Sequence, residues 1–224
     1  MGLFERLLGS REPKFTERVW LTTPGKLADL IAQVRADQAA GIYPVTAAHF
    51  RGTLELLCDA LEKNGLPYHL VESPAAFPTR LVDNDGGQRG ILVMLSAAIP
   101  TSVVSSGPAR PQGVIAPGVT VYLAEHYPLA PRDRLVLSLS GLWSLPINFT
   151  CHTALDEPWL APFRVERLLQ LLERLGNDEK SVLNHPYLDR FIRNTQQTIA
   201  RQVRHELVCR TAEEWMRVNM PRAR

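Results

Sequence analysis

The chain has 224 residues, 45% of them hydrophobic and 21% charged, with a formal net charge of +2. That is enough apolar material for one large core, which excludes the disordered and coiled-coil classes, and so even a charge balance does not imply nucleic acid. Cys58, Cys151 and Cys209 are widely separated and lack a C-x-x-C pair, so neither a disulfide framework nor a structural zinc site is expected, and a reducing cytoplasm is the expected setting.

The opening stretch MGLFERLLGS is too short and too charged for a secretory leader, and no apolar run reaches the length of a membrane span. Leu3, Phe4, Leu7 and Leu8 give it a small amphipathic pattern. The favoured reading is a terminus packed on the body; the alternative, weak peripheral membrane contact, has few apolar residues to support it. Residues 19–22 read as extended, and Gly25-Lys26 precedes a helix at 27–40. A phosphate loop would need a glycine where Trp20 stands and Ser or Thr where Leu27 stands, so the pair marks a helix start.

A strand at 43–48, a helix at 53–63, the stop Asn64-Gly65 and a strand at 68–71 form a strand–helix–strand unit, which implies a parallel sheet. Cys58 shares its helix with Leu54, Leu57 and Leu61 and reads as a small core hydrophobe. Residues 72–90 are rich in Pro, Gly and Asp and hold at most a short helix around 77–82. The run Asp83-Asn84-Asp85-Gly86-Gly87 lacks the remaining ligands of a calcium loop and reads as a solvated turn. The continuous apolar run 91–95 is expected to be a central parallel strand. After a loop come a strand at 119–123, a helix at 132–140 and a strand at 148–153, the last closed by the acidic turn Asp156-Glu157-Pro158.

Val165, Leu168, Leu169, Leu171, Leu172 and Leu175 recur at helical spacing before Gly176. A second helix opens at Pro186 and keeps Leu188, Phe191, Ile192, Thr195, Ile199, Val203, Leu207, Thr211, Trp215 and Val218 on one stripe, so it is expected to exceed thirty residues. A helix of about 34 residues spans on the order of 50 Å and outruns the edge of such a sheet. Val203, Leu207, Trp215 and Val218 are therefore the candidate partner-binding residues, for another protein or for self-association. The expected organisation is an N-terminal segment at 1–16, an α/β domain at 17–160 and a helical extension at 161–224.

Four motifs occur in order: Leu155-Asp156-Glu157, Arg174-Leu175-Gly176, Asn184-His185-Pro186 and Ile192-Arg193-Asn194-Thr195-Gln196-Gln197. Together they resemble the SecA preprotein-translocase ATPase where its second RecA-like nucleotide-binding domain passes into the scaffold helix. The family reads there like SLEDDLM, RLG, EHP and AIENAQRKVE. Upstream, TAAHF and PYHLVES stand where the family has GTVS-type and PHEVLNA strings. The resemblance spans roughly residues 17–205 and one SecA domain. It implies an α/β fold, a RecA-like parallel sheet of about six strands flanked by helices, with a long C-terminal helix.

The same resemblance implies an ATP site shared between two RecA-like domains, to which the second brings a GRGTD loop and an arginine-finger helix, QLRGRAGRQGD. Such guanidinium groups stabilise the charge of the transferring phosphoryl. Here the first string aligns with residues 95–102, which offer no Gly, Arg or Asp, and the second with 139–146, where Ser140, Leu142 and Leu145 fall at or near the arginines. No catalytic, cofactor or metal residue is assigned: the six histidines show no ligand spacing and no nucleophile elbow occurs. Glu125-His126, at a strand exit, is the residual candidate, and a structural hydrogen bond is the favoured reading. The expected function is a non-catalytic SecA-like protein-interaction module, related to preprotein translocation. The alternative is a subunit that completes an ATPase site with a separate Walker-motif partner.

Overall fold

The computed structural model describes residues 13–78, 81, 89–100, 118–141, 143, 145–163, 165, 168, 182–183 and 186–220. Among them, six strands form one sheet: β1 (Thr16–Trp20), β2 (Tyr43–Ala48), β3 (Tyr68–Val71), β4 (Ile91–Leu95), β5 (Val119–Leu123) and β6 (Ile147–Ala154). The order is β1-β6-β5-β2-β4-β3, and every pairing is parallel. β2 and β5, in the middle, are buried along their whole length. A parallel sheet covered on both faces requires this, so their sequences run apolar without alternation.

Helix α1 (Thr23–Ala39) and helix α2 (Arg51–Lys63) cover one face. Leu30, Ile31 and Val34 of α1 and Leu54, Leu57 and Leu61 of α2 pack there on Ile91, Val93, Tyr122 and Ala124. Leu92, Met94, Val121 and Leu123 point to the opposite face, where they meet Val136 of helix α3 (Pro131–Leu137) and Leu139. Period-2 alternation divides each strand between the two layers. Thr22 accepts the Gly25 N–H as the N-cap of α1, and Gly65, at φ +65°, follows the last turn of α2. Gly25 and Lys26 thus lie in a first helical turn.

The long terminal helix is a correction. Helix α4 (Pro186–Gln202) stops, and a separate helix α5 (Ala212–Asn219) begins after nine intervening residues, so the stripe from Leu188 to Val218 is not continuous. Two local devices impose the break. Thr211 accepts the Glu214 N–H at 3.1 Å, and Glu214 accepts the Arg210 N–H at 2.9 Å, a reciprocal variant of the capping box. Asn219 reaches back to bond both the N–H and the carbonyl of Leu207, which turns the connecting segment into a clamp. Of the helix expected over 163–175, Val165 is buried and Leu168 half-buried; Leu169, Leu171, Leu172 and Leu175 lie outside the described residues. The N-terminal amphipathic stretch and the Asp83–Gly87 turn also lie outside them.

Because the chain turns back, α4 and α5 sit over the carboxyl ends of the strands. Ile192, Ile199, Trp215 and Met216 share a third apolar cluster with Val19, Leu21, Phe50, Tyr127 and Leu155, residues at or just beyond strand ends. No described helix is long and apolar enough to cross a membrane.

Candidate functional site at the carboxyl edge of the sheet

In an open parallel α/β sheet, ligands gather where strands end and helices begin, because helix N-termini present unpaired N–H groups there. In this chain the strand exits are polar. β2 runs into His49, β4 into Ser96, β5 into Glu125 and His126, and β6 into Asp156 and Glu157.

The N-terminus of α2 receives acceptors from the chain itself. Glu125 Oε1 accepts the N–H groups of Phe50 at 3.0 Å and His49 at 3.2 Å, and its Oε2 accepts the Thr53 hydroxyl at 2.6 Å. The Gly52 N–H donates to the Arg210 carbonyl at 3.1 Å. Close approach needs glycine there, since a Cβ on Gly52 would stand 3.0 Å from Thr211 Cγ2. Burial raises the pKa of the Glu125 carboxyl, with Lys26 pulling the other way. At α1 the same logic holds: Asp156 accepts the Thr23 N–H at 2.9 Å and its hydroxyl at 2.7 Å. Both helix N-termini thus carry a carboxylate from another strand exit, in the place where a phosphate would dock.

Lys26, buried at the start of α1, donates to Glu157 Oε1 at 2.6 Å and to the Ala124 carbonyl at 2.7 Å. Burial works against its charge, but the Glu157 and Glu125 carboxylates hold it above the ordinary lysine value. Glu157 also accepts the Ala154 N–H and the Trp159 indole N–H. This buried, hydrogen-bonded pair ties α1 to the exits of β5 and β6.

A second network joins Ser96, His49, Asp133, His126 and Glu17. His49 Nδ1 meets the Ser96 hydroxyl at 2.7 Å and its Nε2 meets Asp133 Oδ1 at 2.8 Å. Asp133 also accepts His126 Nδ1 at 2.7 Å, the Tyr127 N–H at 2.9 Å and Gln196 Nε2 at 2.8 Å. Burial opposes its ionisation, but the charge and hydrogen bonds of His126 and His49 hold it well below the usual carboxylate range. His126 Nε2 faces Glu17 at 2.9 Å, and against the cost of burial these carboxylates raise its pKa well above that of free imidazole. Burial pushes the neighbouring Cys151 thiol up to about 12.

Ser96, His49 and Asp133 have the connectivity of a serine–histidine–carboxylate relay, with the imidazole nitrogens exchanged relative to the usual triad. Ser96 is 6% exposed, however, and His49 and Asp133 are enclosed with it. A cavity of about 330 Å³ opens elsewhere, between Tyr43, Leu70, Val71, Pro78 and Leu92. The three side chains join the exits of β2 and β4 to α3.

The C-terminal segment closes this edge. Glu206 accepts the Tyr127 hydroxyl, the Trp215 indole N–H at 3.1 Å and Arg132 Nη2 at 3.2 Å. Trp215 is fully buried, edge-on to Tyr127, which stacks on Phe50. Among the candidate partner residues, Trp215 is thus placed inside its own chain, Val203 is half-buried, and Leu207 and Val218 are exposed beside Val208. Glu125 and His126, adjacent in sequence, serve different partners, α2 and Asp133, and form no dyad. Asp133, His49, Ser96 and Glu17 were missed by motif reasoning. His49 and Ser96 carried a signal of position, each being the first polar residue beyond a strand. His152 points to the other face from Cys151; neither of its ring nitrogens has a hydrogen-bond partner, and burial holds its pKa at about 3.

No family model matches the chain. It is similar to the protein translocase subunit SecA of Methylococcus capsulatus, at 20% identity over 205 residues, a distant relation covering 81% of this chain and 23% of that protein. The chain therefore spans about a quarter of the length of the relative that it matches. Among solved structures it is similar to the C-terminal part of the Fun30 ATPase domain, with a TM-score of 0.41 and 12% identity, over 79% of this chain and 54% of that one.

Proposed function

We propose that the chain is a non-catalytic, SecA-like module on a RecA-like sheet, which works by binding protein and not by turning over nucleotide. One observation carries this reading: three backbone donors at the N-terminus of α2, the N–H groups of His49, Phe50 and Gly52, are taken by Glu125 and by the Arg210 carbonyl of the C-terminal segment. A nucleotide phosphate would have to displace a buried carboxylate whose hydrogen bonds are already made, and like charge there disfavours it further. The residues near the family's arginine positions agree with this, for Ser140 and Leu145 supply no cation, and Arg132 is turned to Glu206 and the Tyr127 ring. The reading in which a Walker-motif partner completes the site requires basic groups at these exits.

The proposed protein contact uses Leu207, Val208 and Val218, apolar side chains left exposed on the clamp and on α5. Its relation to preprotein translocation rests on the distant SecA likeness. Calorimetric titration of the chain with Mg-ATP, paired with a phosphate-release assay, tests the reading. No heat of binding at micromolar nucleotide and no turnover are expected; micromolar affinity with measurable hydrolysis overturns it.

A further inference from the structure

The register of the sheet places three metal-ligating side chains together. Glu17 of β1 and Cys151 of β6 are direct partners in the parallel ladder, so their side chains leave the same face as neighbours. His126, just beyond β5, reaches the same point. One carboxylate oxygen, one imidazole nitrogen and the thiol sulfur lie within 4.8 Å of one another. An independent feature marks His126 as a ligand. Its Nδ1 is held by Asp133 Oδ2 at 2.7 Å while Nε2 faces Glu17, which is the carboxylate–histidine arrangement that orients metal-bound imidazoles. Phe15 stands edge-on to both His126 and Phe149, so the position is walled by apolar rings.

We propose that Glu17, His126 and Cys151 bind one Zn²⁺ ion, with Asp133 as the outer carboxylate that positions His126. An O, N and S donor set suits this borderline-soft cation, and three protein ligands leave a fourth position for water. The ion joins edge strand β1 to β6 and to the segment just beyond β5. Sequence spacing conceals such a site because its ligands come from two strands and from the segment that follows a third.

The test titrates the full chain, stripped with chelator, with Co²⁺ as the spectroscopic probe. The expected result is saturation at one equivalent per chain, with a thiolate-to-cobalt charge-transfer band and tetrahedral visible bands that Zn²⁺ displaces, and a rise in Tm with Zn²⁺. Cys151→Ser abolishes the charge-transfer band, while a chain carrying both Cys58→Ser and Cys209→Ser keeps it. Glu17→Gln, a change of little volume whose fold is checked by far-ultraviolet dichroism, keeps the band but weakens affinity roughly tenfold or more, at least as much as loss of an outer-shell partner. Absence of a saturable band, a band that survives Cys151→Ser, or affinity unchanged in Glu17→Gln overturns the proposal.

Discussion

At the residue scale, buried charges set the strictest conditions on this fold. Lys26 and Glu157 are each almost fully enclosed and hydrogen-bond each other and nearby backbone or indole groups. Removing one partner strands the other in a medium that cannot solvate it. Glu157→Ala is expected to cost about 3–5 kcal/mol, the range for breaking a buried pair, measured by chemical denaturation. Glu206 is less enclosed and is best read through pH. Burial raises its pKa, but the hydrogen bonds from Tyr127, Trp215 and Arg132 outweigh this and leave it below 4.5. A carboxyl lowered on folding contributes stability that is complete above its unfolded value and is lost as pH falls through its folded value. Between about pH 5 and pH 3, Glu206→Gln should therefore show a shallower fall in stability than the parent chain. Equal slopes for the two proteins would mean that Glu206 does not anchor the segment.

At the element scale, the C-terminal helices are held by a cap, a clamp and one aromatic anchor. Thr211→Ala removes the side-chain acceptor of α5 and should cost about 1 kcal/mol, as N-cap losses do. Trp215→Ala empties a fully buried site between Tyr127 and Met216, with an expected cost of about 3–5 kcal/mol. Because the burial is within one chain, that loss should not depend on protein concentration; a loss that shrinks as concentration rises would return Trp215 to an intermolecular role. The strands were legible in the sequence because parallel strands buried on both faces leave near-continuous apolar runs bounded by turn residues, as at 43–48, 91–95 and 119–123. The helix break was not, because the apolar stripe keeps its phase across it. Thr211-Ala212-Glu213-Glu214, a capping-box spacing, was the local signal that outranked the stripe.

At the scale of the whole molecule, the chain fills the carboxyl edge of its own sheet. Acids from β5 and β6 cap the helices that follow β1 and β2, and α4 and α5 lay an apolar layer over the strand exits. Period and composition could not show this, because it depends on which loops meet once the strand order is set as β1-β6-β5-β2-β4-β3. Glu125 was read as a strand-exit residue from sequence, but its role as the cap of a helix seventy-odd residues earlier needed the pairing of β2 with β5. The paired motifs at 155–157 and 192–197 suggested a sheet passing into helices, yet gave no sign that those helices return.

Native-state hydrogen exchange at the Phe50 and Gly52 amides tests this closure most directly. Both donate to acceptors brought from far along the chain, Glu125 Oε1 and the Arg210 carbonyl. If the edge is closed as described, the two amides exchange only through openings near the cost of global unfolding, and Glu206→Gln lowers the protection of Gly52. Exchange of both amides at the rate of an exposed loop, unchanged in that variant, would contradict the account.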